Sequence, residues 1–260
     1  MVIPATTDAR RPRTTAPTVL AGGYALVCYA AFMAIFAYAV AFLADVVVPR
    51  TVDHGGPGSG AATAVVVDVA LLGVFAVQHS VMARPEFKRR WVGVVPAHVE
   101  RSTYILVATV VLALAFWQWR PIPTVVWDVQ AQGVRVVVWA LYALGWLWAL
   151  AMTYAIDHLD FVGLRQVARH FRGAPEPGQT FALPLPYRLV RHPMMLGFFL
   201  AFLAAPTMTV GHLLFAGLGI GYIVVAVRFE EHDLARALPP YADYAAVTPR
   251  FAPRLGRRRR

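Results

Sequence analysis

Along most of this chain apolar residues do not alternate with polar ones. They run together in blocks, and the blocks have the length of a bilayer. A hydrocarbon core needs about 20 mostly apolar residues in a helix. Four blocks of that kind are Val19–Leu43, Ala62–Met82, Thr103–Trp119 and Val134–Ile156. A fifth, Pro193–Val227, is too long for one crossing and is interrupted by Pro206, Gly211 and His212 in "APTMTVGH". Proline removes an amide donor and clashes with the preceding turn, so a helical hairpin with a short first arm is expected here. The pattern therefore predicts an all-α fold, a polytopic membrane bundle of five to six transmembrane helices. "HGGPGSGAA" (His54–Ala62) predicts a flexible loop. "GLGIG" (Gly217–Gly221) resembles a phosphate-binding glycine loop but lies inside an apolar block with no strand before it, so close helix packing is expected.

The charges between the blocks add an orientation. "RRPR" before the first block, "RPEFKRRW" through Arg101, the segment Asp157–His192 and the terminal "RRRR" hold nearly all of the basic residues. The intervening loops carry Arg50 with Asp45 and Asp53, then Arg120 with Asp128. Basic loops stay cytoplasmic, so both termini are expected inside. Trp117, Trp119 and Trp127 flank the second outer loop and suggest an interfacial aromatic belt. The first block exceeds the ~7–15 apolar residues of a cleaved signal and reads as a retained span.

Composition narrows the classes. Only 15% of the 260 residues are charged, and mean hydropathy is +0.56, which excludes a soluble globule. The formal charge of +10 raises nucleic acid as a partner. Zinc-finger spacing, a basic helix and a stacking platform are all missing from the sequence, so the lipid bilayer is the expected partner and nucleic acid is not. The single cysteine, Cys28, excludes an intrachain disulfide and sits within an apolar block. The "RRRR" tail enforces topology or touches anionic lipid.

Polar residues at the block ends need a reason, because ionisable groups in membrane spans are costly and default to functional candidates. In "YRLVRHP" (Tyr187–Pro193), proline opens a helix and puts Arg191 and His192 at its N-terminus. That arrangement suits a carboxylate or phosphate, or else a basic anchor at lipid headgroups. "RFEEHDL" (Arg228–Leu234) sets two carboxylates against the helix dipole, for a basic partner or a bound cation. In "YAIDHLDFVGLRQ" (Tyr154–Gln166), His158 lies between Asp157 and Asp160, as a proton acceptor or a solvated loop start. Those three groups also invite a metal, but a further ligand is missing and no metal is expected. "AVQHSVMARPEFKRRW" (Ala76–Trp91) places Gln78, His79 and Ser80 inside the end of the second span, bonded across helices or lining a pocket. Asp68, deeper in that span, calls for a partner such as Tyr38 or Trp148.

"LVRHPMMLGFF", "RFEEHDL" and "YADYAAVTPRFAP" together resemble the C-terminal half of the isoprenylcysteine carboxyl methyltransferase-like membrane family. Its pattern is Arg-His-Pro before a helical hairpin, paired glutamates after it, and a tyrosine-rich segment ending in Arg-Phe-x-Pro. Order and spacing match over Tyr187–Pro253. "QHSVMARPEFK", "ERSTY" and "DHLDFVGLRQV" are similar to the bacterial methanethiol S-methyltransferases, and NnrU-like proteins share parts of them. One departure is Met195, where many family members carry a tyrosine able to contact the cofactor.

The resemblance implies a division into a cytoplasmic tail (1–18), membrane helices with substrate-side loops (19–186), a region binding S-adenosylmethionine at the cytoplasmic edge (187–253) and a basic tail (254–260). Arg191 and His192 would hold the polar end of the cofactor, and Glu230 or Glu231 its ammonium or ribose hydroxyls. Tyr241, Tyr244 and Arg250 would close the site, with Tyr187, Pro193 and Gly197 completing it. The acceptor would be a small thiol, methanethiol giving dimethyl sulfide. His79 and His158 are the candidate bases, Asp157 or Asp160 would support one of them, and Gln78 and Gln166 would face the substrate. Two other readings stay open: the same fold acting on a prenylated cysteine carboxylate or lipid amine, and a non-enzymatic NnrU-type membrane protein.

Overall fold

A computed structural model of the chain describes residues 16–174 and 183–253. The "RRPR" and "RRRR" segments, and the tails drawn from them, lie outside the described residues. In chain order the elements are α1 (Ala16–Ala44), α2 (Ala61–Ala83), α3 (Pro85–Trp91), a 3-10 turn (Ala97–Val99), α4 (Glu100–Gln118), β1 (Val125–Asp128) and α5 (Gln132–Ile156). They continue with α6 (His158–Phe161), α7 (Leu164–Arg172), α8 (Leu185–Leu189), α9 (Pro193–Leu203), β2 (Thr207–Thr209), α10 (Val210–Ala237) and α11 (Pro240–Val247).

Five of these segments are long and apolar enough to cross a bilayer: Val19–Ala44, Ala61–Ala83, Ala97–Gln118, Gln132–Ile156 and Val210–Ala237. The chain is an integral membrane protein with a mostly helical fold. The expected hairpin is present. Its first arm, α9, has 11 residues, which is ~17 Å at 1.5 Å per residue and about half a bilayer. Its second arm, α10, has 28 residues. From Val210 to Phe229 that helix already rises ~30 Å, a full hydrocarbon thickness. Glu230 and Glu231 follow directly in the last turns of the helix.

A small antiparallel ribbon that the all-α pattern did not contain closes the opposite end. β1 pairs with β2 in the register Trp127↔Met208 and Asp128↔Thr207. Trp127 Nε1 donates to the Ala205 carbonyl at 3.1 Å, which ties the ribbon to the end of α9. The aromatic-belt expectation needs correction at Trp119. That ring is 1% exposed, donates to the Val52 carbonyl at 3.1 Å, and joins Phe42, Phe116 and Phe215 in the core. Trp117 remains half exposed beneath the Arg50 guanidinium, 3.7 Å from its ring.

Asp68 finds neither Tyr38 nor Trp148. It is fully buried and accepts the Arg120 amide at 2.9 Å, a backbone donor just past the end of α4. Tyr38 donates to the Arg50 carbonyl and Trp148 to the Pro193 carbonyl.

The packing that places α9 rests on small residues. A Cβ on Gly197 would lie 2.7 Å from both the Ala149 nitrogen and the Gly145 oxygen, and one on Gly145 would lie 2.6 Å from the Ala201 nitrogen. Gly145 and Ala149 on α5 thus face Gly197 and Ala201 on α9, each pair four residues apart. This spacing is what lets two backbones touch within a membrane. In "GLGIG" the packing expectation holds at Gly219, whose Cβ would meet the Phe202 ring at 2.9 Å; at Gly217 and Gly221 a Cβ would meet nothing within 4 Å.

Candidate active site

Pro193 starts α9 with a missing amide that the helix would not have used, and the two residues before it lie beside the tail. The Arg191 amide donates to the Pro249 carbonyl at 2.9 Å and the His192 amide to the Arg250 carbonyl at 3.2 Å. Main-chain pairing thus brings 191–192 and 249–250 together, while α10 delivers Glu230 and Glu231 from the other side.

Glu231 is the hub. Its side chain is 12% exposed. Oε1 accepts from Arg191 Nε at 2.8 Å and His192 Nε2 at 2.9 Å, and Oε2 accepts from Arg250 Nε at 3.0 Å and Nη2 at 2.6 Å. These four charge-assisted bonds fill the carboxylate. The bond from Glu231 also raises the already high Arg250 pKa. Arg191 bonds beyond Glu231. Its Nη1 donates to the carbonyls of Ala245 at 2.5 Å and Thr248 at 3.1 Å, clamping the end of α11. Among the described residues only its Nη2 makes no bond.

Glu230 differs from its neighbour. Its side chain is 53% exposed, with Oε2 3.9 Å from His192 Nδ1. It lies within electrostatic range of Arg84 and Arg101 as well. Tyr187, Tyr241 and Tyr244 surround this end, and Tyr244 donates to the Tyr187 carbonyl at 2.5 Å. Burial, reinforced for Tyr187 and Tyr241 by nearby carboxylates, holds all three phenols above their ordinary range, so they are neutral donors. Tyr187, Arg191, His192, Glu230, Glu231, Tyr241, Tyr244 and Arg250 are thus brought to one place. Pro193 shapes the helix start. Gly197 is not part of this group: it belongs to the α5–α9 crossing, where its missing side chain is taken up by backbone contact.

His79 adjoins the same region. The Tyr104 hydroxyl lies 3.1 Å from its Nδ1 and 3.0 Å from its Nε2, and Phe75 stacks on the ring with centroids 5.3 Å apart. Tyr222, bonded by Ser80 at 3.3 Å, presents its edge to His79. Glu230 acts electrostatically on both Tyr104 and Tyr222, which links this cluster to the first. Arg84 ties α2 to α10 through Asp233 at 2.9 Å.

His158 has other company. Thr153 donates its hydroxyl to the Leu150 carbonyl at 2.6 Å, so Oγ1 accepts from His158 Nδ1 at 2.7 Å. That fixes the neutral tautomer, and Nε2 then accepts from the Tyr29 hydroxyl at 3.1 Å. Burial lowers the His158 pKa, which keeps the ring neutral. The flanking carboxylates turn away: Asp157 caps α6 through the Asp160 amide and pairs with Arg165 at 2.9 Å, and Asp160 pairs with Arg169 at 2.7 Å. Gln78 donates to Met82 Sδ at 3.0 Å. Gln166 sits on α7, the helix that packs Val167 against Ala21 and Ala25 of α1, apart from Gln78.

Sequence reasoning passed over Tyr104, Tyr222, Arg84 and Arg101. Tyr104 and Arg101 stand within the quoted "ERSTY" and Arg84 within "QHSVMARPEFK", so motif membership was the available signal. Tyr222 sits in an apolar run, and only helix packing turns it toward His79.

Known proteins match the chain over most of its length. Methanethiol S-methyltransferase 2 of Bradyrhizobium diazoefficiens is 51% identical over 238 residues, 91% of each chain. Methanethiol S-methyltransferase of Mycobacterium tuberculosis is 54% identical over 222 residues, 85% of this chain and 91% of the other. Nurim of Bos taurus is more distant, 30% identical over 178 residues, 64% of this chain and 66% of its own. No solved structure matches. The family model described as NnrU protein matches residues 68–252, a stretch that contains both the His79 cluster and the Glu231 hub, and the chain belongs to that family.

Proposed function

We propose that the chain is a membrane thiol S-methyltransferase that methylates methanethiol to dimethyl sulfide, with S-adenosylmethionine as the methyl donor. The observation that carries this reading is the 51% identity, over 91% of both chains, to a protein named for that activity.

The residues present fit such a donor. Its amino-acid end needs a cation for the carboxylate and an anion for the ammonium. Arg191 offers Nη2 for the first. For the second, Glu230 is favoured over Glu231, because Glu231 is already filled by Arg191, His192 and Arg250. Tyr187, Tyr241 and Tyr244 supply neutral hydroxyls and ring faces for the nucleoside. When bound, the donor supplies an electrophilic methyl group on a sulfonium.

The thiolate, not the thiol, is the nucleophile, so a base must take the thiol proton. His79 suits this better than His158. The one Tyr104 hydroxyl, 3.0 and 3.1 Å from the two His79 nitrogens, can bond only one of them at a time, whereas the two His158 nitrogens have separate partners in Thr153 and Tyr29. Asp157 and Asp160 then serve to hold α6 and α7 rather than to assist a base. A bilayer location suits an apolar volatile acceptor, which partitions into hydrocarbon and leaves as an apolar thioether. Basic loops at the Arg191 end support a cytoplasmic placement of this site and of both termini, and the bacterial relatives support the inner membrane.

Headspace gas chromatography on cells expressing the chain and fed methanethiol tests the reading. Dimethyl sulfide above an empty-vector control, lost in Arg191→Ala, is expected. No product, together with no S-adenosylmethionine binding by calorimetry, would refute it.

A further inference from the structure

Two buried polar atoms near His79 have no hydrogen-bond partner among the described residues: Gln78 Oε1, an acceptor, and Trp91 Nε1, a donor. Burying such an atom unpaired is costly, so each calls for an explanation. They border the same cluster. Met82 takes the Gln78 amide on its sulfur at 3.0 Å and packs in the cluster against which Trp91 and Phe87 of α3 lie. Tyr104, which holds His79, belongs to the same cluster. A donor and an acceptor thus border one apolar cluster, which also contains Tyr104, the partner of the proposed base.

A small thiol matches that arrangement. Its S–H is a weak donor, its sulfur a weak acceptor, and its alkyl group is apolar. We infer that this corner between α2, α3 and α4 is the acceptor site. The S–H points to Gln78 Oε1, Trp91 Nε1 donates to the sulfur, and the alkyl group lies against Met82 and Phe87. The inference rests on the thiol methyltransferase reading and adds to it the residues that set acceptor size. In the reaction the S–H turns from Gln78, and its proton passes to the His79 nitrogen that the Tyr104 hydroxyl is not bonding. The sulfur's electron pair then forms the new S–C bond, and the sulfonium C–S bond breaks with its pair returning to the donor sulfur. Two neutral thioethers result, and His79 releases its proton to water. Trp91 Nε1 stabilises the sulfur while it carries negative charge, which is where a fixed donor is most effective.

The test uses the full-length protein in nanodiscs with methanethiol, ethanethiol and 1-propanethiol as acceptors. Met82→Ala shortens the wall, and one methylene in an apolar pocket changes kcat/KM by roughly 10–200-fold. The expected result is a rise of about tenfold or more in the ratio of 1-propanethiol to methanethiol turnover. Trp91→Phe keeps an aromatic ring and removes the N–H. It should lower kcat/KM for methanethiol about tenfold or more while leaving the Kd for S-adenosylmethionine unchanged. An active wild type with the acceptor ratio unmoved in Met82→Ala and methanethiol kinetics unmoved in Trp91→Phe would overturn the assignment alone, and would mean that the two atoms serve a buried water. A wild type inactive on all three thiols would instead overturn the functional reading beneath it.

Discussion

Gly197→Ala puts one methyl group into the crossing of α5 and α9. The new Cβ would lie 2.7 Å from two backbone atoms, where ordinary contact begins near 3.4 Å, so the helices must separate by about 0.7 Å. Both neighbours are main chain and cannot rotate away. Overpacking of this kind costs about 1–3 kcal/mol. Alanine also gains helix propensity, about 1 kcal/mol over glycine, which masks part of the cost. Gly217→Ala on α10 supplies the control, because it gains the same propensity and its Cβ meets nothing within 4 Å. The difference between the two variants isolates the crossing. For a chain of this size it corresponds to roughly 2–10 °C in apparent Tm, measured by differential scanning fluorimetry in one detergent. Activity should fall further than stability, since α9 begins directly after Arg191 and His192 and a displacement of about 1 Å in a site can cost about 100-fold. Equal Tm values for Gly197→Ala and Gly217→Ala would refute the packing argument and the placement of α9 that rests on it.

Glu231→Gln leaves Arg191, His192 and Arg250 without their shared counter-charge and should cost about 3 kcal/mol, the low end for a buried pair because Arg250 is partly exposed. Urea titration reads this loss, and Glu230→Gln should weaken S-adenosylmethionine binding in calorimetry without it. His54 bonds Asp45 at 2.8 Å, and that bond raises its pKa above the ordinary 6.5. A raised pKa means that the contact stabilises the loop fully below about pH 6.5 and is lost as pH rises through the higher folded value. Amide exchange in residues 51–54 should therefore quicken with rising pH beyond its intrinsic trend, and Asp45→Asn should abolish the excess. With Cys28 replaced by serine, Ser59→Cys should react with an impermeant maleimide on intact cells and Gly93→Cys should not; the reverse labelling would invert the proposed topology.

The sequence by itself determined where the membrane-length apolar blocks lie and where the hairpin breaks. Those features follow from local quantities: the length of an apolar run against bilayer thickness, and the missing amide of Pro206. It also carried the family motifs, because "RHP", "EE" and the tyrosine-rich tail keep their residue types and order. What it left open were choices between neighbours. Glu230 and Glu231 are chemically identical and adjacent in sequence. The 100° between successive helix positions turns Glu231 toward Arg191, His192 and Arg250 and leaves Glu230 half in water. Gly197 stands four residues past Pro193 and reads as part of the cofactor motif until α5 is laid against it. His79 and His158 each sit among polar groups in the sequence, and only packing places Tyr104 on one and Thr153 with Tyr29 on the other. The β1–β2 ribbon pairs residues some 80 positions apart, and neither strand is long enough to carry a period of its own. Local pattern fixes spans and turns. Which side chain meets which is decided by contacts between distant segments, and these exist only once the helices have packed.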